Sequence, residues 1–355
     1  MALLSVIIPA YNTEAYIRQA IESLLANGIA ELEIIFVDDC SSDKTAKVAA
    51  KVLGSVPGAK VIVGKKHKPG GAAAPSNLGL EHATGKYIGF LDSDDWVGPD
   101  YFADLLQCIQ SGDFDIVIGG YRNIEEFNHV ERPQYDIDIW KDIIASGKTT
   151  LPKDVALSLS PEPWRKLYRT DWLRAQGLKF PVLGWFNEDY PFHWIAVPSA
   201  GKIGWVNNRG YFHRLMRPGQ TTEVLDERLF HVFDHTRFVI DFLRQRNLYE
   251  QNREQLYRWL MRSLWRLKAI TGSWRDDYCQ KYCALIAEVY KDGFTLPAKA
   301  SRKAWICQRA LRTKGAKGLL EQGTSSQRGK WLVRQAVPVH ERLRAKSTRW
   351  LARNA

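Results

Sequence analysis

A chain of 355 residues, 45% apolar and 25% charged, can bury a sizeable core, and its length exceeds one domain of about 100–200 residues. That composition excludes a disordered chain, and no run reaches the roughly 18 uninterrupted apolar residues of a membrane-spanning helix. The net charge of +11 is concentrated in the tail: residues 298–355 hold 15 Lys/Arg against 2 Asp/Glu, which leaves residues 1–297 at about −2.

In chain order, Leu3 to Pro9 reads as a buried-type strand, Thr13 to Ala26 carries helical spacing through Ile17, Ile21, Leu24 and Leu25, and "LEIIFVDD" is a second strand. "SSDKTAKVAAKVLG" predicts a capped helix closed by Gly54, "AKVIVG" a strand, "PSNLGLEHATG" a helix and "KYIGFL" a further strand. This alternation implies a mainly parallel sheet with helices on both faces. Residues 121–225 read as loops and short elements. Beyond Leu225 the pattern is helical, with Leu256, Leu260, Leu264 and Leu267 on one stripe and Arg258, Arg262 and Arg266 on another.

Ligands of such sheets bind beyond the carboxyl ends of the strands, and three polar endings fall there: "PAYN", "DDCSSD" and "DSDDW". Asp92, Asp94 and Asp95 repel one another unless a cation joins them, and Mg²⁺ or Mn²⁺ characteristically takes one or two carboxylates plus phosphate oxygens. An EF-hand is excluded, because Val97 and Ala103 stand where Gly and Glu are required. The competing reading makes these carboxylates caps of the helix beginning near Pro99. In "VDDCSSD", Asp39 is assigned to reading a base N–H, with Ser41, Ser42 and Asp43 as helix caps. Glu188 and Asp189 lie in the aromatic "GWFNEDYPFHW", a setting that raises a carboxyl and suits it to general-base work. Trp164, Trp185, Phe186 and Trp194 are candidate sugar-stacking walls, weighed against a place in the core.

The segments "LSVIIPAYN", "IIFVDDCSSDKT", "NLGLEHATGKYIGFLDSDDW", "PWRKLYRTDWL" and "NEDYPF" together resemble glycosyltransferase family 2, the inverting enzymes of GT-A fold that build bacterial surface polysaccharides. The resemblance covers residues 3–222. It implies that Pro9, Tyr11 and Asn12 lie against the nucleotide, that Asp39 reads a uracil, and that Asp92 and Asp94 are the DXD motif, Asp92 near the ribose and Asp94 on the metal. It further implies that Asp189 of the ED pair Glu188-Asp189 is the catalytic base. His213, Arg214 or Arg217 approaches the diphosphate, with His213 counted among the metal ligands and Arg217, Ser93 and Asn77 among the donor contacts. Relatives carry Arg before the Asn at the start of the third helix; here Pro75-Ser76-Asn77 lacks it, and Lys65, Lys66, His67 or Lys68 is the expected replacement, Lys66 first.

The expected architecture is therefore α/β: a GT-A domain with a nucleotide-sugar half over 1–120 and an acceptor half over 121–224, a helical extension over 225–297 and a basic helical tail over 298–355. The expected activity is metal-dependent, inverting transfer from a nucleotide-diphosphate sugar, UDP-sugar foremost, to a hydroxyl of a surface glycan or lipid-linked acceptor. The tail, which interleaves Lys/Arg with Trp305, Leu311, Trp331, Leu343, Trp350 and Leu351, suits an anionic membrane surface or self-association, and no nucleic acid is expected. The scattered Cys40, Cys108, Cys279, Cys283 and Cys307 and the lack of a basic leader at "MALLSVIIPAYN" place the chain in the cytoplasm, peripheral to the membrane. A haloacid-dehalogenase phosphatase is excluded by Trp96, and a non-catalytic polysaccharide- or membrane-binding module is the alternative.

Overall fold

In the computed structural model, the described residues are 2–64, 71–184, 187–218, 220, 227–264, 274–296, 300, 304–313 and 315. Lys65, Lys66, His67, Lys68, Trp185, Phe186, Arg266, Leu267, Trp331, Leu343, Trp350 and Leu351 lie outside them.

The strands are β1 (Leu4–Ala10), β2 (Leu32–Asp38), β3 (Ala59–Val63), β4 (Tyr87–Phe90), β5 (Trp96–Val97), β6 (Ile116–Glu125), β7 (Glu131–Arg132), β8 (Lys166–Arg169) and β9 (Ile203–Leu215). They form one sheet in the order β3-β2-β1-β4-β8-β6-β9-β5, with β7 paired to β6. The pairs β1/β2, β2/β3, β1/β4 and β6/β9 are parallel, and β8 runs antiparallel to both of its neighbours, β4 and β6. Consequently β1, β2, β4, β6 and β9 all end at one edge. Every residue of β1 is buried and β2 is buried from Glu33 onward, which is why both read as continuous apolar runs.

The helices of the sheet domain are α1 (Ile17–Leu25), α2 (Thr45–Leu53), α3 (Ala73–His82), α4 (Tyr101–Ser111), α5 (Ile137–Ser146), α6 (Lys153–Ser158), α7 (Thr170–Ala175) and α8 (Asp189–Ser199). In α1 the buried face is Ile17, Ala20, Ile21 and Leu24, a 3.6-residue stripe. Asp43 holds the start of α2, accepting the Thr45 N–H at 2.9 Å.

The segment expected to consist of loops and short elements is more regular than its sequence reads. It holds the 13-residue β9 and the 10- and 11-residue helices α5 and α8. Gly204, Gly210 and the polar run Asn207–Arg209 interrupt the alternation that would reveal β9, and its register against β6 shifts between Gly119 and Tyr121. Pro191 and Pro198 disguise α8; the first lies in the opening turn, where a helix tolerates a missing N–H.

The chain divides into two compact units, residues 1–224 with 234–248, and residues 225–233 with 249–355. The helices following the sheet are α9 (His231–Gln245), α10 (Tyr249–Ser263) and α11 (Arg275–Val289). Within the second unit, Leu256, Leu260 and Leu264 are buried as the stripe predicts, and Tyr282 Oη donates to the Leu260 carbonyl at 2.9 Å. Among the described residues no helix is long and apolar enough to cross a membrane, and all five cysteines are free.

Candidate active site

The end of β1 and the loop after β2 are clasped together. Asn12 donates its backbone N–H to Ser41 Oγ at 2.9 Å, and its Oδ1 accepts the Ser42 N–H at 2.8 Å. Asn12 and Cys40 both take left-handed backbone angles, φ +51° and +62°, a conformation a non-glycine residue holds only where its surroundings impose it. Asp39, buried, donates its N–H to the Ala10 carbonyl at 2.8 Å, while Asp38 Oδ2 accepts from Ser41 N–H. Pro9 is buried in β1 and Tyr11 is exposed beside it. The sequence-assigned nucleotide end is thus a rigid loop pair on the rim.

The Asp-rich turn follows β4 directly. Ligand oxygens of Asp92, Asp94 and Asp95 lie within 4.8 Å of one another. Burial, then the charges of Asp95, Asp94 and Glu188, push the Asp92 carboxyl well above the carboxylate range. Asp95 is 1% exposed and works inward: it accepts Tyr211 Oη–H at 3.0 Å and the Arg214 backbone N–H at 2.7 Å. Tyr211 Oη also accepts the Asp92 N–H at 3.1 Å. Ser93, inside the turn, is buried.

Arg214 and Arg217 divide the cationic duties. Arg214 donates to the Asp94 carbonyl at 2.7 Å and to Gln19 Oε1 at 2.8 Å, pairs with Glu126, and covers the rings of Tyr16 and Trp96, each at 4.7 Å. It is a structural tie. Arg217 pairs with the Asp94 carboxylate itself.

His213 is neutral, because burial pulls its pKa down to about 4. Asn123 donates Nδ2–H to the Pro133 carbonyl at 2.9 Å, so its Oδ1 faces His213 Nδ1, also at 2.9 Å. Nδ1 therefore carries the proton and Nε2 keeps its lone pair, the arrangement a metal-ligating histidine needs. The donor set of Asp92, Asp94 and His213 fits a hard divalent cation in chemistry, although the mutually close trio contains Asp95 rather than His213.

Glu188 and Asp189 meet different surroundings at the start of α8. Glu188 accepts the Ala72 N–H at 2.7 Å, and a Cβ on Gly71 would stand 2.9 Å from its Oε1. Asp189 is half-buried; burial first, then Glu188, Asp92 and Glu162, raise its carboxyl well above the usual range, while Lys166 opposes them.

Two expectations change against this geometry, and a third falls outside it. Asn77 spends its amide on Phe180, donating to its carbonyl and accepting its N–H, both at 2.8 Å. Trp164 and Trp194, considered as sugar walls, are 2% and 0% exposed; Trp164 stacks on Tyr211 at 4.1 Å, so these rings fill the core. Lys66, with Trp185 and Phe186, lies outside the described residues.

Glu162 and Lys166, by contrast, went unnoticed in the sequence. Lys166 is 1% exposed, its pKa lowered by burial and by Arg165 to about 7, and it donates to the carbonyls of Pro161 and Glu162. Only its place in β8, between β4 and β6, puts it inside. The nearest sequence signal is a lysine in the middle of "PWRKLY", unremarkable by itself.

The sequence model of glycosyl transferase family 2 matches residues 5–170, from β1 through β8. Residues 5–170 are a glycosyltransferase family 2 domain. Over 220 residues the chain is 33% identical to EpsH of Bacillus subtilis (strain 168), covering 59% of this chain and 60% of that one. To the poly(ribitol-phosphate) β-N-acetylglucosaminyltransferase TarS of Staphylococcus aureus (strain MW2) it is 29% identical over 222 residues, 62% of this chain and 37% of TarS. The crystal structure of TarS 1–349 in complex with UDP-GlcNAc superposes with a TM-score of 0.68 at 19% identity, covering 90% of this chain and 91% of that one, so the two share a fold. The chain spans less than two thirds of the length of EpsH and of TarS. Asp92 and Asp94 lie within the matched residues, and Glu188 and Asp189 follow beyond them.

Proposed function

We propose that the chain is a metal-dependent, inverting glycosyltransferase that moves a sugar from a UDP-sugar to a hydroxyl of a growing surface glycan or lipid-linked acceptor. The observation that carries this reading is the Asp92, Asp94 and Asp95 cluster at the end of β4, the strand beside β1, whose own end is clasped to the loop after β2. A UDP-GlcNAc complex of the similarly folded TarS supports a UDP-sugar donor. In this reading residues 1–120 hold the donor, 121–224 receive the acceptor, 225–297 extend the fold and 298–355 meet an anionic membrane surface from the cytoplasmic side.

Pro9, Tyr11, Asn12 and Asp39 receive the nucleoside, and Asp39 accepts from the base. Asp92, Asp94 and His213 Nε2 would hold the divalent cation, which when bound supplies Lewis-acid neutralisation of the leaving diphosphate. Arg217 adds a second positive charge at the same end. Asp189 takes the proton from the acceptor hydroxyl; that oxygen attacks the anomeric carbon opposite the departing UDP, and the configuration inverts. A raised carboxyl is a better proton acceptor than an ordinary one, which suits Asp189 to that step. Glu188 holds the start of α3 in place rather than moving a proton.

The test is release of nucleotide from UDP-, GDP- and CDP-sugars with Mn²⁺ or Mg²⁺. Turnover of a UDP-sugar that stops on chelation is expected. Absence of turnover across the panel would leave the binding-module reading.

A further inference from the structure

Past the end of β9 the chain turns at Met216, Arg217 and Pro218, and one buried side chain fastens that turn. Gln220 is 8% exposed. Its Oε1 accepts the Met216 N–H at 2.8 Å, and its Nε2 donates to the Arg214 carbonyl at 2.7 Å. Its own backbone N–H donates to the Arg217 carbonyl at 3.2 Å. The amide fits only this way round, because a backbone N–H needs its oxygen and a carbonyl needs its nitrogen. Gln220 therefore touches Arg214, Met216 and Arg217 at once, and the donor chemistry assigns it no task.

The anchor of the turn is Arg214, whose backbone N–H donates to Asp95, whose Nε–H donates to the Asp94 carbonyl and whose guanidinium pairs with Glu126. Met216 then takes φ +63°, a left-handed conformation that a residue with a side chain keeps only under constraint, and the Gln220 oxygen on its N–H is such a constraint. On the far side, Pro218 disfavours helical backbone at Arg217. Bracketed in this way, Arg217 lays its guanidinium on the Asp94 carboxylate and over the Tyr16 ring at 5.8 Å, the same ring that Arg214 covers at 4.7 Å. An arginine side chain surrenders much rotamer freedom when it is held, so fixing the backbone beneath it leaves the charge preorganised for an anion.

We propose that Gln220 is a positioning residue of the donor site: by clamping the turn between Arg214 and Arg217, it aims the Arg217 guanidinium at the Asp94 end, where the diphosphate of a nucleotide sugar would meet it. The proposal rests on the glycosyltransferase reading for the identity of the anion, and on the hydrogen bonds of Gln220 for the aim. Gln220→Ala strands the Met216 N–H and the Arg214 carbonyl together and releases the turn. Gln220→Glu keeps the size and the accepting oxygen but sets a carboxylate oxygen against the Arg214 carbonyl. It should therefore fail as the alanine does, whereas a role in filling space alone would be rescued by it.

The experiment is calorimetry of the full chain with UDP and with uridine, joined to NMR of the arginine Nε–H signals, the Arg217 line being identified by its disappearance in Arg217→Ala. Gln220→Ala and Gln220→Glu should each weaken UDP about tenfold, leave uridine within about twofold and remove the Arg217 line that the ion pair with Asp94 holds in the unmodified chain. Adding Arg217→Ala to Gln220→Ala should cost no further UDP affinity, because both changes remove one contact. Thermal melts verify folding. A lowered melt with the UDP-to-uridine ratio unchanged, an Arg217 line that persists in both variants, recovery in Gln220→Glu, or additive losses in the double variant would overturn the proposal. No UDP binding by the unmodified chain sinks the donor reading, whereas the Arg217 line still decides whether Gln220 sets that side chain.

Discussion

The Glu188 carboxylate accepts the Ala72 N–H at 2.7 Å across 116 positions of sequence, tying the residue that precedes α8 to the residue that precedes α3. A carboxylate at a helix start also meets the positive end of the helix dipole. Glu188 is thus engaged with the scaffold, which leaves Asp189 for the base role proposed above. Glu188→Ala should strand the Ala72 N–H and cost about 1–3 kcal/mol. Glu188→Gln, which keeps an acceptor oxygen, should cost less. Urea midpoints of the two variants compare these directly, and equal midpoints would count against the tie.

Asp189→Asn should abolish transfer while UDP affinity by calorimetry stays within about twofold, because the proposed base acts on the acceptor rather than the nucleotide. Transfer that persists in the variant would move the base elsewhere.

Asp189 must be ionised to accept a proton, and its carboxyl is raised by burial and by Glu188, Asp92 and Glu162. Transfer should therefore fall with decreasing pH at a point above the ordinary carboxylate range. Lys166 is the cation that opposes the shift, so Lys166→Met should move that acid limb to still higher pH; a pH–rate profile that moves downward would contradict this electrostatic assignment.

The same lysine makes a stability prediction. In the folded chain Lys166 is lowered to about 7, whereas an unfolded lysine titrates near 10.5. Between those values the unfolded state binds a proton that the folded state does not, so folding stability should rise with pH across that window. Chemical denaturation at pH 7.5 and 9.5 should show the rise, and Lys166→Met should flatten it.

Asp95→Ala removes the acceptor for both Tyr211 Oη–H and the Arg214 N–H, and should destabilise by about 2–4 kcal/mol. It should also weaken Mn²⁺-dependent nucleotide binding indirectly, by loosening the turn that carries Asp92 and Asp94. Asp94→Ala should abolish that metal dependence with a much smaller loss of stability. Melting temperatures and calorimetry with Mn²⁺ separate the two outcomes.

Much of the sheet and of the donor side is written locally. Continuous apolar runs mark β1, β2 and β4, and the polar residues that follow each run necessarily emerge at one rim once the strands are parallel, so Asp39, Asp92 and Asp94 could be placed before any coordinates. What the sequence left open is pairwise and long-range. Asp95 had no role until Tyr211 and Arg214 arrived from β9, and Asn77 looked available until Phe180 took both ends of its amide. Trp164 resembled a sugar platform because composition does not say which aromatic is covered; Tyr211 covers it, and exposure falls to Tyr135 instead.

By itself, then, the sequence determined the mainly parallel sheet and the polar rim at its strand ends, because strand periodicity and the residues at strand ends are properties of neighbours along the chain. The tertiary structure decided which carboxylates are spent on the scaffold and which remain for chemistry. That decision depends on hydrogen-bond partners more than a hundred residues away, and on an antiparallel β8 that carries Lys166 into the interior.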